Sequence, residues 1–151
     1  MWQKYCHKNK LDINTPHDVW KFCGGGPLAD ELANLVLDGK KTATASTKIA
    51  YETEHEPIPE VGCLSVILFD NEEAACIIRD TKVSIVPFNE VSPDHAFREG
   101  EGDRSLEFWQ DVHKRAFTPD YEMAGLPFDE HGDCVLEEFE VVFAITCEQE
   151  I

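Results

Sequence analysis

The run Gly39-Lys40-Lys41-Thr42-Ala43-Thr44-Ala45-Ser46-Thr47-Lys48 packs three lysines and four hydroxyl side chains into a chain whose formal net charge is −17. From Gly39 to Tyr51 there is no Asp or Glu, although acids make up 30 of the 151 residues. Charge segregated in this way builds a local field that attracts an anionic or electron-rich group against the sign of the whole molecule. The chemistry on offer is nucleophilic. A threonine hydroxyl is weak until a base takes its proton, and a lysine beside another cation or out of water can be tuned to serve as that base. Lys41 and Thr44 are three residues apart, which on a regular strand places them on opposite faces, so their contact requires a bend or twist at this point.

A second unusual passage, Arg98-Glu99-Gly100-Glu101-Gly102-Asp103-Arg104-Ser105, alternates glycines with carboxylates. Glycine here costs backbone entropy and supplies no core, so the passage reads either as an exposed acidic turn or as a backbone bent to aim carboxylates at something. A carboxylate such as Glu101 could carry a proton to a leaving amine if the two passages meet. The D-x-D-x-D-G pattern of a calcium loop is absent, and no metal or cofactor is expected.

Elements must position these groups. Asn14 or Thr15 with Pro16 reads as the start of a short helix carrying Val19, Trp20 and Phe22, ended by Gly24-Gly25-Gly26. This forms part of an N-terminal helical extension at about residues 1–26. A second helix begins near Pro27, with Leu28, Leu32, Leu35 and Val36 at helical spacing and Gly39 as its C-terminal cap. The Lys/Thr run therefore leaves a helix end, which excludes a P-loop, whose lysine must open a helix. Thr42 to Thr47 is β-compatible, with Thr42, Thr44 and Ser46 on one face. Leu64 to Phe69, Ala74 to Ile78, Lys82 to Phe88 and Val135 to Ile145 are four further strands, after a loop marked by Pro57, Pro59 and Gly62. An amphipathic helix from Leu106 to Ala116, capped by Asp103, separates the last two and carries Trp109 among its core residues. No linker divides these segments, so residues 1–151 read as one α+β domain, a mixed barrel-like sheet with flanking helices.

Composition sets limits on partners. The acidic balance argues against broad binding to a nucleic-acid backbone, DNA included, and leaves a small nucleoside-like ligand or a short RNA at one patch. Six scattered cysteines without a C-x-x-C pair read as reduced structural thiols. The N-terminus has no apolar signal core and no run approaches the roughly 18 apolar residues of a spanning helix, so no membrane association is expected and the cytoplasm is the expected location. Glu137, Glu138 and Glu140, with Glu148-Gln149-Glu150, form an acidic strip open to a protein partner or serving solubility alone.

The segments Leu35 to Thr44, Pro59-Glu60-Val61-Gly62, Val86 to Val91 and Glu99 to Leu106, with Trp109 and His113, together resemble the ASCH family, the activating signal cointegrator homology domain related to the PUA RNA-binding barrel. The resemblance spans roughly residues 22 to 145. It implies a PUA-like β-barrel with flanking helices and a cleft carrying the G-K-K-T segment. Members of that family are proposed to bind RNA, some deacylate N4-acetylcytidine, and ribonuclease activity is attributed to others. The amidohydrolase members use a Lys, a Thr three residues later and a downstream Glu, which fall here on Lys41, Thr44 and Glu101, with Glu99 the alternative acid. Lys40, Thr42, Ser46, Glu99, Asp103 and Arg104 are then the expected substrate contacts. A ribonuclease would draw on His113, Lys41 and Glu101, and a purely binding module on Lys40, Lys41, Lys48 and Arg104 for phosphate with Tyr51 or Trp109 for a base.

Overall fold

The structure, a computed structural model, describes residues 1–144. Five strands form one mixed sheet: β1 (Asp18–Trp20), β2 (Ala43–Thr47), β3 (Leu64–Leu68), β4 (Ala74–Pro87) and β5 (Asp133–Ala144). Their order is β1-β3-β4-β5-β2, with β1 parallel to β3 and the other pairs antiparallel. The expected barrel is thus a curled half-barrel whose two edges, β1 and β2, are not bonded to each other. Five helices flank it: α1 (Trp2–Lys8), α2 (Pro27–Leu37), α3 (Lys48–Glu54), α4 (Pro93–Glu99) and α5 (Leu106–Met123).

The core is divided among these layers. Leu32, Ala33 and Val36 of α2 pack on Ile67, Cys76, Ile78 and Phe139 of the sheet. Trp109 and Phe117 of α5 pack on Phe88, Val91 and Leu136. Tyr5 of α1 covers Val66 and Ile77. Trp109 is therefore a core residue, as its helical spacing required.

Several local expectations change. The segment read as a helix around Val19 is the edge strand β1, followed by a 3₁₀ turn at Phe22–Gly24. Tertiary pairing with Ser65–Ile67 overrides the capping signal of Asn14-Thr15-Pro16, and β-prone Val19 and Trp20 suit a pleat. The N-terminal helix is instead Trp2–Lys8, pinned by Trp2 stacking on His17 with ring centroids 3.7 Å apart. The runs Ala74 to Ile78 and Lys82 to Phe88 are one 14-residue strand. What looked like a gap is a bulge, since Asp80 pairs with Phe139 and Lys82 with Glu138, leaving Thr81 extra. The last long helix continues through Pro119 to Met123, and its cap is Ser105, whose hydroxyl accepts from Phe108 N, rather than Asp103. Asp103 instead accepts from the Ser105 N–H at 2.9 Å. Ile145 and Cys147 lie outside the described residues, and the five described cysteines are free thiols. Among the described residues no helix is long and apolar enough to cross a membrane.

Candidate functional site

Gly39, at φ +78°, ends α2 and turns the chain so that the N–H groups of Lys40 and Lys41 both bond Leu35 O, at 3.0 and 3.1 Å. This turn precedes Lys41 and does not bring it to Thr44: Lys41 Nζ bonds Glu99 and Glu101, while Thr44 lies on the regular strand β2. Thr42 N then bonds Arg98 O at 2.8 Å, locking the entry to β2 against the end of α4. On the other side, α4 ends at Gly100, with φ +74°. A Cβ there would lie 2.5 Å from Lys40 O, and a Cβ on Gly102 would lie 2.4 Å from the Phe108 ring. The alternating glycines therefore exist to let two backbones and a ring approach closely.

That approach joins the two passages. Lys41 is only 2% exposed, and its Nζ lies 3.3 Å from Glu99 Oε1, 3.2 Å from Glu101 Oε2 and 3.4 Å from Glu99 O. Glu99 is the more deeply buried of the two acids, at 1% exposure, and has further partners. Its Oε2 accepts from Trp109 Nε1 and lies 2.8 Å from His95 Nε2, while its Oε1 lies 3.4 Å from His113 Nε2. Burial alone would raise the Glu99 carboxyl, but the Lys41 ammonium and the two histidines outweigh it and hold it well below the usual carboxylate range. His113 is pulled in opposite directions as well. Burial would lower it, yet its contact with Glu99 raises it, and its Nδ1 lies 2.8 Å from Trp109 O, so both ring nitrogens face acceptors as an imidazolium requires.

Glu99, Glu101 and His113 bring ligand atoms within 4.8 Å of one another, a spacing that could hold a metal ion. The Lys41 ammonium stands between the two carboxylates and already supplies the positive charge, so the donor set suits an ion pair better than a divalent cation.

Thr44 has a different setting. It faces a cleft of about 920 Å³ in the gap between the two edge strands, lined by Asp18 to Cys23 on one side and Thr44, Ala45 and Ser46 on the other. Tyr51 of α3 and the loop around Pro57 to Glu60 roof it, and Ser65, Asp80 and Glu137 floor it. Thr44 stands directly across from Glu137 in the β2–β5 register, on the same face. Ser46 Oγ donates to Tyr51 Oη at 3.1 Å. Phe22 and Cys23 join the two regions: Lys41 Nζ lies 5.3 Å from the Phe22 ring centroid, and the Cys23 thiol is pushed up by burial and then by the charge of Glu101. Six carboxyls line the cleft, at Asp18, Glu54, Glu56, Glu60, Asp80 and Glu137, against one lysine, Lys21, which pairs with Glu72 at 2.6 Å.

The structure thus gathers Lys41, Glu99 and Glu101 in one cluster and puts Thr44 and Ser46 in the adjoining cleft. The remaining expected contacts have structural partners. Thr42 is tied to Arg98 O; Arg104 stacks on Phe97, its guanidinium 3.6 Å from the ring centroid, and donates to Phe97 O and Lys40 O. Lys48 pairs with Glu52 and Asp133, and Lys40 is exposed. Sequence reasoning did not single out Asp18, Asp80 or Glu137 as cleft residues. The available signals were a lone Asp inside an apolar β run and a Glu-Glu pair that breaks the alternation of the last strand.

The comparisons follow this geometry. An ASCH domain model matches residues 18–143. The crystal structure of protein EF3133 from Enterococcus faecalis V583 superposes with a TM-score of 0.86 at 36% identity, covering 99% of this chain and 90% of that one. The crystal structure of an ASCH domain from Lactobacillus crispatus JV V101 gives 0.84 at 34% identity, covering 94% of each. No curated protein matches. With the family model and both structures agreeing over nearly its full length, the chain belongs to the ASCH domain family.

Proposed function

We propose that the chain hydrolyses an acylated amine on a small nucleoside-type molecule bound in the cleft between β1 and β2. The observation that carries the reading is Thr44, a hydroxyl facing a cleft large enough for a nucleoside, beside ionisable groups on two sides. The six carboxyls of the cleft disfavour a phosphate backbone there, which selects a nucleoside over a long RNA. In this reading Thr44 Oγ1 bonds to the acyl carbon and its proton passes to a cleft carboxylate. Collapse of the tetrahedral intermediate breaks the C–N bond, and the leaving amine takes a proton delivered on the Glu101 side. Water then cleaves the Thr44 ester and releases the acid. Lys41, ion-paired with both acids, serves as a positive charge and proton source rather than as the initial base.

Incubation of the purified chain with N4-acetylcytidine and other acylated nucleosides tests this directly. Wild type should release cytidine and acetate, and Thr44→Val should lose on the order of 10³-fold or more in rate while keeping its melting temperature. Absence of turnover by wild type on every acylated nucleoside overturns the reading. A second reading, a non-catalytic nucleoside-binding module, is favoured by one observation: Lys41 Nζ bonds Glu99 and Glu101, with no bond to Thr44. It would give saturable binding without product. A phosphate-gripping RNA module has less support, because Lys41, Lys48 and Arg104 are committed to partners within the chain.

A further inference from the structure

Asp80 of β4 and Glu137 of β5 meet carboxyl to carboxyl on the cleft floor. The bulge at Thr81 makes the meeting possible, because it turns Asp80 into the cleft and Lys82 onto the opposite face beside Ser84 and Glu138. Asp80 is 6% exposed, and its side chain lines the cleft. Its polar neighbour is Glu137, another carboxyl, and two carboxyls bond each other only through a proton that one of them holds. A carboxyl pair that shares one proton and lines an open cavity still has oxygen lone pairs free to accept from a ligand's N–H groups.

We infer that the Asp80–Glu137 pair is the recognition site for an amino-substituted nitrogen heterocycle, gripping the edge where a ring nitrogen lies beside an exocyclic amine. The inference rests on the reading of the cleft as a pocket for a nucleoside-type molecule. A carboxyl pair holding one proton offers an O–H donor for the ring nitrogen and carboxylate oxygens for the amine N–H groups. Acidic side chains read the exocyclic amine of cytosine in the same way in nucleic-acid complexes. A ring with a carbonyl in place of the amine would turn an acceptor toward Asp80 and be repelled. Trp20 and Phe22 supply apolar wall for the ring faces, and Thr44 lies across from Glu137, where the substituent on the amine would be attacked.

The titration of the pair fits this role. Burial pushes Glu137 up to about 8 and Asp80 up to about 6, with the charge of Asp18 on β1 adding to both. The other ionisable groups lining the cleft are Tyr51 and Glu54 from α3, Glu56, Glu60 and Cys63 from the roofing loop, and, beside β1, Cys23 and Lys21, whose charge is spent on Glu72.

The test is a fluorescence titration with unmodified nucleosides, using Trp20 in the cleft wall as reporter, from pH 5 to pH 10. Cytidine should bind about tenfold or more tightly than uridine, and adenosine than inosine. Affinity for the amino bases should be greatest between about 6 and 8, where the pair holds one proton, and should fall at higher pH as that proton leaves. Asp80→Asn and Glu137→Ala should abolish the preference, whereas Glu137→Gln, which keeps a donor, should abolish the alkaline fall. Equal affinity for the amino and carbonyl members of each pair overturns the inference, as does a preference unchanged in Asp80→Asn and Glu137→Ala. Continued turnover of acylated nucleosides in such a case leaves the proposed hydrolysis standing, and absence of any nucleoside binding or turnover overturns both.

Discussion

Two groups of buried acids in this molecule have opposite surroundings. Glu99 is enclosed by Lys41, His95, His113 and Trp109, all donors, and its carboxyl is held low. Asp80 and Glu137 share a cavity wall with one another, and burial holds both high. A buried charge with a full set of donors is satisfied by the fold and stiffens it, whereas a proton-sharing carboxyl pair on a cavity wall keeps lone pairs open to a ligand. The first cluster reads as the brace that fixes α4 against the start of β2, and the second as the place where chemistry meets a ligand.

The comparison breaks most sharply at Lys41. Removing it in Lys41→Ala leaves Glu99 buried with a smaller share of positive charge, and the expected loss of stability is about 3–5 kcal/mol, measured by denaturant unfolding. A loss below about 1 kcal/mol would mean that the cluster is not the brace. Next in size is Gly100→Ala. The left-handed φ and the 2.5 Å approach to Lys40 O should together cost about 2–3 kcal/mol and disturb Glu101 more than Thr44. A thermal melt reads the effect.

The pH response separates the two groups by sign. Glu99, lowered on folding, contributes stability that is present above the unfolded carboxylate value of 4.5 and is lost as pH falls below it. His113, raised on folding, contributes stability present below 6.5 and lost as pH rises through its folded value. Asp80 and Glu137 hold protons in the folded state that the unfolded chain releases, so their contribution falls as pH rises from about 4.5 toward 8. Wild type should therefore melt at lower temperature at pH 9 than at pH 6, and Glu137→Gln should recover part of that loss. An identical pH slope in the two proteins would show that Glu137 is not held protonated. The smallest effect belongs to Lys40→Ala. Its side chain is exposed, and stability should change by no more than about 0.5 kcal/mol. A large loss of nucleoside binding in that variant would place a ligand contact outside the cleft.

Much of this was legible in the chain. The G-K-K-T run after a helix, the glycine-acid alternation and the β-branched runs placed the Lys41 cluster and most of the sheet, because each is a local pattern of turn chemistry or period. Reading the Glu/Gly passage as bent backbone aiming carboxylates holds for Glu99 and Glu101, which both reach Lys41. Residues 18–20 were misread because a three-residue edge strand owes its existence to its neighbour β3, which local propensity does not register. The bulge at Thr81 looked like a break between strands for a similar reason, since a bulge is defined by its partner's register.

The sequence by itself determined the α+β class and the family, with a cationic hydroxyl-rich run at a helix-to-strand junction and acids ready to meet it. Only the tertiary structure decided which acids meet which groups. Contacts such as Lys41 with Glu99, 58 residues away, and Asp80 with Glu137 are set by strand register and by backbone approach at Gly100, and neither leaves a period in the sequence. The same closure placed Thr44 across from Glu137, burying Lys41 of the basic island while Lys40 stays exposed, and leaving an acidic cleft as the open face of the site.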